Sequence, residues 1–364
     1  MRRLAAVVVM LSSVAVPRAQ QRAPEVDSIR KEEMKADLSF LASDSMRGRL
    51  TDTPENRIAA EWIALRFERL GLVPAGDGGS YYQPFTLLTA AMGDGNRVTF
   101  RGSSGAPPTE AKVGEDFHPL RFSPSASASG EVVFVGFGIS SPERGYDDYG
   151  ADVKGKIVLA IDHEPGEADP NSPFDGIVTS QVSDQLWKTL AAQAKGASGI
   201  LFVTDVHNHA AQAGSTLSGN YWPARPPRIP RYMLGTWADR VRIPAVQVSP
   251  AFASLLVQDS QRALADLSKA SESSAGTRPV PLGVSVDLAT SVERTVIPDR
   301  NVVALLEGSD PALRDEVVIV CAHYDHDGVN GDNVMNGADD DGSGTVGVME
   351  IAEAFALGAR KGGR

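Results

Sequence analysis

The run Val317 to Ala322 is apolar at every position and ends directly on His323-Tyr324-Asp325. A short run rich in Val and Ile reads as a strand, and apolarity on both faces predicts a central strand covered above and below. No other feature restricts the fold as much, because such a strand requires paired neighbours and a layer of structure on each face. A Gly-, Asn- and Asp-rich loop follows from Asp325 to Gly342, then a helix from about Ser343 to Leu357. A further strand, Asn301 to Leu306, precedes the run across the turn-prone Glu307 to Asp315. This order predicts an α/β sheet with its ligand site at the carboxyl ends of strands, where His323 and Asp325 stand. Cys321, the only cysteine, falls inside the run and is expected to be buried in the strand.

The residue types at that strand end point to a metal. In His-x-Asp on a strand both side chains project to one face. Asp339, Asp340 and Asp341 are adjacent carboxylates that repel one another, so a nearby cation offsets a real cost. Imidazole plus carboxylate, without thiolate, suits zinc or another borderline divalent ion. A carboxylate such as Asp325 can orient the imidazole through its second nitrogen. Calcium is the sharpest alternative: Asp339, Asp341, Ser343, Gly344 and Glu350 fall at positions 1, 3, 5, 6 and 12 of an EF-hand-like loop. Two observations oppose it. The Gly- and Asn-rich residues 328–337 cannot supply the incoming helix, and Glu350 belongs to the helix that follows.

Upstream, the pattern is helical from Asp27 to Leu72, most clearly after Thr53. Pro54 suits the first turn, Ile58, Trp62, Leu65 and Leu70 recur at helical spacing, and Gly71 ends the helix. Residues 76–129 are Gly-, Ser- and Pro-rich, with short strand-like pieces such as Arg97 to Phe100. From Gly130 a second unit reads as strands Glu131 to Phe137, Lys156 to Ile161, Gly199 to Val203 and Ala245 to Val248, with a helix over Gln185 to Lys195. The Ser-, Ala-, Gly- and Pro-rich residues 268–281 read as a linker. His207 and His209 form a His-x-His expected to be a polar surface loop for want of a neighbouring carboxylate, and His163-Glu164 reads as an ordinary strand-end loop.

A net charge of -11 over 364 residues argues against nucleic acid as a partner, which requires a clustered basic face. Arg2 and Arg3 precede the apolar run Leu4 to Val16, with small residues around Ala19. This is the pattern of an export signal over 1–19, so the mature chain is expected in the periplasm or medium and off the membrane. No Gly-x-Ser-x-Gly elbow or Walker loop gives a serine-hydrolase or nucleotide reading a starting point.

His323-Tyr324-Asp325-His326, Asn336-Gly337-Ala338-Asp339-Asp340 and Ser343-Gly344 together resemble the M28 family of co-catalytic zinc peptidases. The likeness extends to Leu41-Ala42-Ser43-Asp44, Arg47-Gly48-Arg49, Thr53-Pro54-Glu55-Asn56 and Gly76-Asp77-Gly78-Gly79-Ser80-Tyr81. Val153-Lys154-Gly155-Lys156-Ile157-Val158 resembles the protease-associated insert that such peptidases carry. The resemblance implies a mixed α/β sheet with helices on both faces, interrupted by a β-rich insert. The expected parts are 20–128 (peptidase domain, first part), 129–265 (insert), 266–285 (linker) and 286–364 (peptidase domain resumed). It further implies two zinc ions, with His323 a ligand of one, Asp339 bridging both, Asp325 orienting His323, Asp340 shaping the loop and His326 lining the site. A zinc-activated water would then hydrolyse N-terminal bonds of a peptide or protein substrate, as an aminopeptidase does. A carboxypeptidase-type relative and a non-catalytic binding module are the alternatives. The family completes its site with a Glu-Glu pair, an Asp and a His downstream, one Glu serving as general base. None precedes Arg364, so the chain is expected to be truncated at its C-terminus and incomplete as a catalyst.

Overall fold

The computed structural model describes residues 24–360, apart from 104, 106, 151, 218 and 274; the expected export signal lies outside the described residues. The fold is mixed α/β and divides into two compact units, one running to Gln83 and resuming at Arg300, the other being Pro84–Asp299.

In the first unit the helices Lys31–Leu41, Pro54–Leu70 and Ser343–Arg360 enclose an apolar core. Leu41, Met46, Ala59, Ile63, Phe67, Val346 and Met349 lie at its centre. The Pro54–Leu70 helix starts where its sequence says it should: the Thr53 hydroxyl accepts from the Asn56 amide at 3.3 Å, and Pro54 needs no amide partner in the first turn. It stops at Gly71, whose φ of 73° is the left-handed conformation glycine adopts without steric cost. Strand structure here is slight: Val73–Pro74 pairs with Ala304–Leu305, and Val329–Asn330 with Asn333–Val334.

The second unit holds an eight-stranded sheet built from β1 (Arg97–Arg101), β2 (Thr109–Glu110), β3 (Phe117–Pro119), β4 (Ala126–Phe134), β5 (Ile157–Ile161), β6 (Gly199–Val203), β7 (Ala245–Val248) and β8 (Val280–Thr290). Their spatial order is β2-β1-β8-β4-β5-β6-β7-β3. The four central strands β4 to β7 are parallel, and the pairings on either side of them are antiparallel. Every residue of β5, β6 and β7 is buried, as parallel strands covered on both faces must be. Alternation along β5 sends Ile157, Leu159 and Ile161 to one core, with the helices Pro250–Val257 and Leu264–Ala270. Val158 and Ala160 go to the other, with the Gln185–Ala194 helix.

The expected mixed α/β fold, with helices on both faces of a sheet, is present; that sheet lies within Pro84–Asp299, and residues 84–128 contribute β1, β2 and β3 to it. Residues 266–285, expected as a linker, hold the end of the Leu264–Ala270 helix and the start of β8. Most importantly, Val317–Ala322 is not a covered central strand. Val317 and Val318 are 72% and 90% exposed, and Cys321 is exposed with them. An apolar run supplies propensity, but a strand is made by the ladder of hydrogen bonds to its neighbours. Among the described residues no strand pairs with this run.

Candidate metal centre

The site begins with a buried arginine. Arg47, Gly48 and Arg49 all take left-handed backbone conformations, and this turn drives the Arg49 side chain inward to 0% exposure. Gly48 is obligatory, since a Cβ there would lie 2.4 Å from the Met335 carbonyl oxygen and 2.5 Å from that of Gly328. Arg49 Nε donates to the Tyr324 carbonyl at 2.7 Å, Nη1 to that of Asn336 at 2.8 Å and Nη2 to that of Gly337 at 2.9 Å. Nη1 also contacts the Leu41 carbonyl. One guanidinium thereby ties the His323–Asp325 segment to the loop that leads into the three aspartates. The main chain adds to the tie, with His326 N donating to Arg49 O at 3.3 Å and Gly328 N to Gly48 O at 3.1 Å. Burial lowers the pKa of Arg49, with nearby Asp325 opposing that shift.

Held this way, His323 meets carboxylates on both ring nitrogens. Nδ1 is 3.0 Å from the Asp325 carbonyl oxygen and 3.4 Å from its Oδ1; Nε2 is 3.1 Å from Asp340 Oδ1. The His323 amide donates to Asp341 Oδ2 at 3.1 Å, and its carbonyl accepts from Thr345 Oγ1 at 2.8 Å. Thr51 Oγ1 donates to Asp325 Oδ2 at 3.3 Å. Partial burial pulls the His323 pKa down, yet the Asp325 carbonyl and the carboxylates of Asp325, Asp341 and Asp340 outweigh it and leave the pKa above its usual value.

The structure thus brings His323 together with Asp325, Asp340 and Asp341. Asp339 enters through its backbone, its carbonyl accepting from Ser343 Oγ at 3.2 Å. The donors suit a zinc-class ion: two ligands on a tetrahedral zinc with bonds of about 2.0–2.1 Å stand roughly 3.3 Å apart, close to the Nε2–Oδ1 separation seen here. His326 packs its ring against Gly337, where a Cβ would come within 2.4 Å of it. Glu350 does not turn toward the aspartates as an EF-hand requires. It stays in its helix, 2% exposed, accepting from Arg66 Nη2 at 3.2 Å and from Arg30 N at 3.4 Å. Arg66 also reaches Glu353 at 2.7 Å and Asp37 at 3.3 Å, so the acidic side chains there already share a cation.

Residues 301–362 match the model of Peptidase family M28. Among solved structures, an aminopeptidase from Aneurinibacillus sp. strain AM-1 is similar with a TM-score of 0.39 and 16% identity, over 91% of this chain and 60% of that one. Two structures of a zinc aminopeptidase from Bacillus subtilis have TM-scores of 0.29 and 0.28 at 15% identity, over 90% of this chain and 58% of theirs. The chain therefore spans about three fifths of the length of these structures. No curated protein matches it.

Proposed function

We propose that this chain carries part of the zinc site of an exported M28-type metallopeptidase acting as an aminopeptidase, and that His323 and Asp340 are the metal ligands it supplies. The observation behind this reading is the approach of His323 Nε2 to Asp340 Oδ1 at 3.1 Å, inside the segment that matches the family model. Asp340 here takes the ligand role that motif position suggests for Asp339. Asp325, on the opposite ring nitrogen, orients the imidazole, and Arg49 keeps both ligand segments in register. A bound zinc would supply Lewis acidity toward a scissile carbonyl and a water acidified enough to attack it. The second zinc, the general base and the export route belong to the same reading. A catalytic zinc takes three protein ligands, so two give only weak retention until further donors join them.

The test compares Asp339→Asn, Asp340→Asn and Asp325→Asn by zinc competition against a chromophoric chelator, alongside hydrolysis of aminoacyl-nitroanilides. Asp325→Asn should weaken zinc by about 10–100-fold, the usual cost of losing an outer partner of a ligating histidine. Asp340→Asn should cost more, and Asp339→Asn less. If Asp339→Asn has the largest effect, the bridging role returns to Asp339; if none of the three changes zinc affinity, the reading fails.

A further inference from the structure

Two histidines that stand apart in sequence meet in the second unit. β5 and β6 are adjacent parallel strands in register, Ile161 opposite Val203, and each runs out into a loop at its carboxyl end. His163 lies in the first loop and His209 in the second. Between them stands Glu167, with Oε2 3.0 Å from His163 Nδ1 and Oε1 3.0 Å from His209 Nε2. Taking one ligand atom from each residue, the three lie within 4.8 Å of one another.

We infer that His163, Glu167 and His209 form a binding site for a zinc-class divalent cation, distinct from the His323 centre and independent of it. Two imidazoles and one carboxylate are the donor set of three-ligand zinc sites, which keep a fourth position for water or another ligand. The contacts are close without being hydrogen bonds. His209 Nε2 is shut off from water and has no hydrogen-bond partner, even though Glu167 Oε1 is 3.0 Å away. The carboxylate is therefore close to the nitrogen without satisfying it, which leaves the buried His209 Nε2 short of a partner. With bonds of about 2.0–2.2 Å, small side-chain rotations bring all three onto one ion.

The surroundings are built to hold this geometry. His163 has a φ of 75°, an uncommon conformation for a residue with a Cβ. It is held there by the buried Lys188, whose Nζ contacts the His163 carbonyl and donates to that of Ile161 at 2.9 Å. The Glu272 carboxylate clamps the two loops, accepting from Gly166 N at 2.8 Å and Asn208 Nδ2 at 2.7 Å. Each of those donors is one residue from a proposed ligand. Asp205, fully buried, accepts from the His207 amide at 2.9 Å and from Ser268 Oγ at 2.6 Å, and its carbonyl accepts from the His209 amide at 3.0 Å. Ligands carried on rigid, hydrogen-bonded loops are what a metal site requires.

The experiment uses the full chain with His323→Ala and Asp340→Asn, which disable the other centre. Zinc retained after gel filtration should be one equivalent per chain. Cobalt(II) in its place should give the visible absorption of a low-coordinate site. Zinc at about 100 times its Kd should raise the Tm by roughly 5–10 °C for a unit of this size. Glu167→Gln, which keeps the size of the side chain, should abolish all three signals, as should His163→Ala; circular dichroism of each variant without metal checks that it folds. Zinc retention and Tm unchanged by Glu167→Gln, or no zinc retained by the parent, would overturn the site and leave the cluster a metal-free arrangement of two histidines about a glutamate.

Discussion

Replacing Arg49 with alanine deletes the group that fastens the His323 segment to the aspartate loop. Its guanidinium makes hydrogen bonds to the carbonyls of Tyr324, Asn336 and Gly337, with a further contact to that of buried Leu41. A hydrogen bond from a charged donor contributes about 1.5–3 kcal/mol net. The contributions do not sum, because the carbonyls of Asn336 and Gly337 lie in a partly exposed loop and can turn to water, whereas that of Leu41 cannot. The expected loss is therefore on the order of 4 kcal/mol, a large share of the 5–15 kcal/mol that holds a domain together. Arg49→Lys keeps the charge but replaces a planar five-donor fork by one nitrogen, and should recover about half. Urea unfolding followed by amide exchange in the Ser343–Arg360 helix reports this unit directly. A purely structural role would lower stability and leave the zinc affinity of folded Arg49→Lys unchanged; a positioning role weakens zinc in that variant as well. Stability of Arg49→Ala within 1 kcal/mol of the parent, with equal zinc affinity, would refute the argument.

Arg66→Met should destabilise the same unit by about 3 kcal/mol, because Glu350, 2% exposed, would lose its cation; urea midpoints test this, and Glu350→Gln in the same chain should restore part of the loss. His118 is 7% exposed and stacked on Tyr221 at 4.0 Å, and burial pushes its pKa down to about 4. Since the unfolded chain takes up this proton near pH 6.5 and the folded one does not, its contribution is fully present above that pH and is lost as pH falls toward 4. Between pH 7 and 4.5 the parent should lose about 2 kcal/mol that His118→Gln retains, measured by denaturant midpoints at the two pH values. Cys321 should react fully in the native state with an aromatic disulfide reagent, one thiol per chain; protection of that thiol until unfolding would restore the buried strand expected from its neighbours.

Where structure follows from neighbours in sequence, it was legible. The Pro54–Leu70 helix is bounded by Thr53 and Gly71 because capping is a matter of a hydroxyl and a backbone angle within a few residues. β5, β6 and β7 announced themselves as short apolar runs because a strand covered on both faces can be nothing else. The same rule failed at Val317–Ala322, where composition was right but no described strand lies alongside, since hydrogen-bonding partners are a property of the whole fold. The candidate metal centre divides the same way. His323 and Asp325 could be singled out by their spacing, and a zinc-class ion proposed from their chemistry. Three consecutive aspartates are alike in type, and only the path of the loop turns Asp340 toward the imidazole while the Asp339 carbonyl meets Ser343. Arg47-Gly48-Arg49 stood out as a motif, but only the left-handed turn at 47–49 buries the Arg49 side chain where it can bond the two segments. His163 and His209 read as residues of separate loops and Glu167 gave no signal, because sequence records distance along the chain. The pairing of β5 with β6 converts that separation into contact between their loops, and only tertiary structure could decide it.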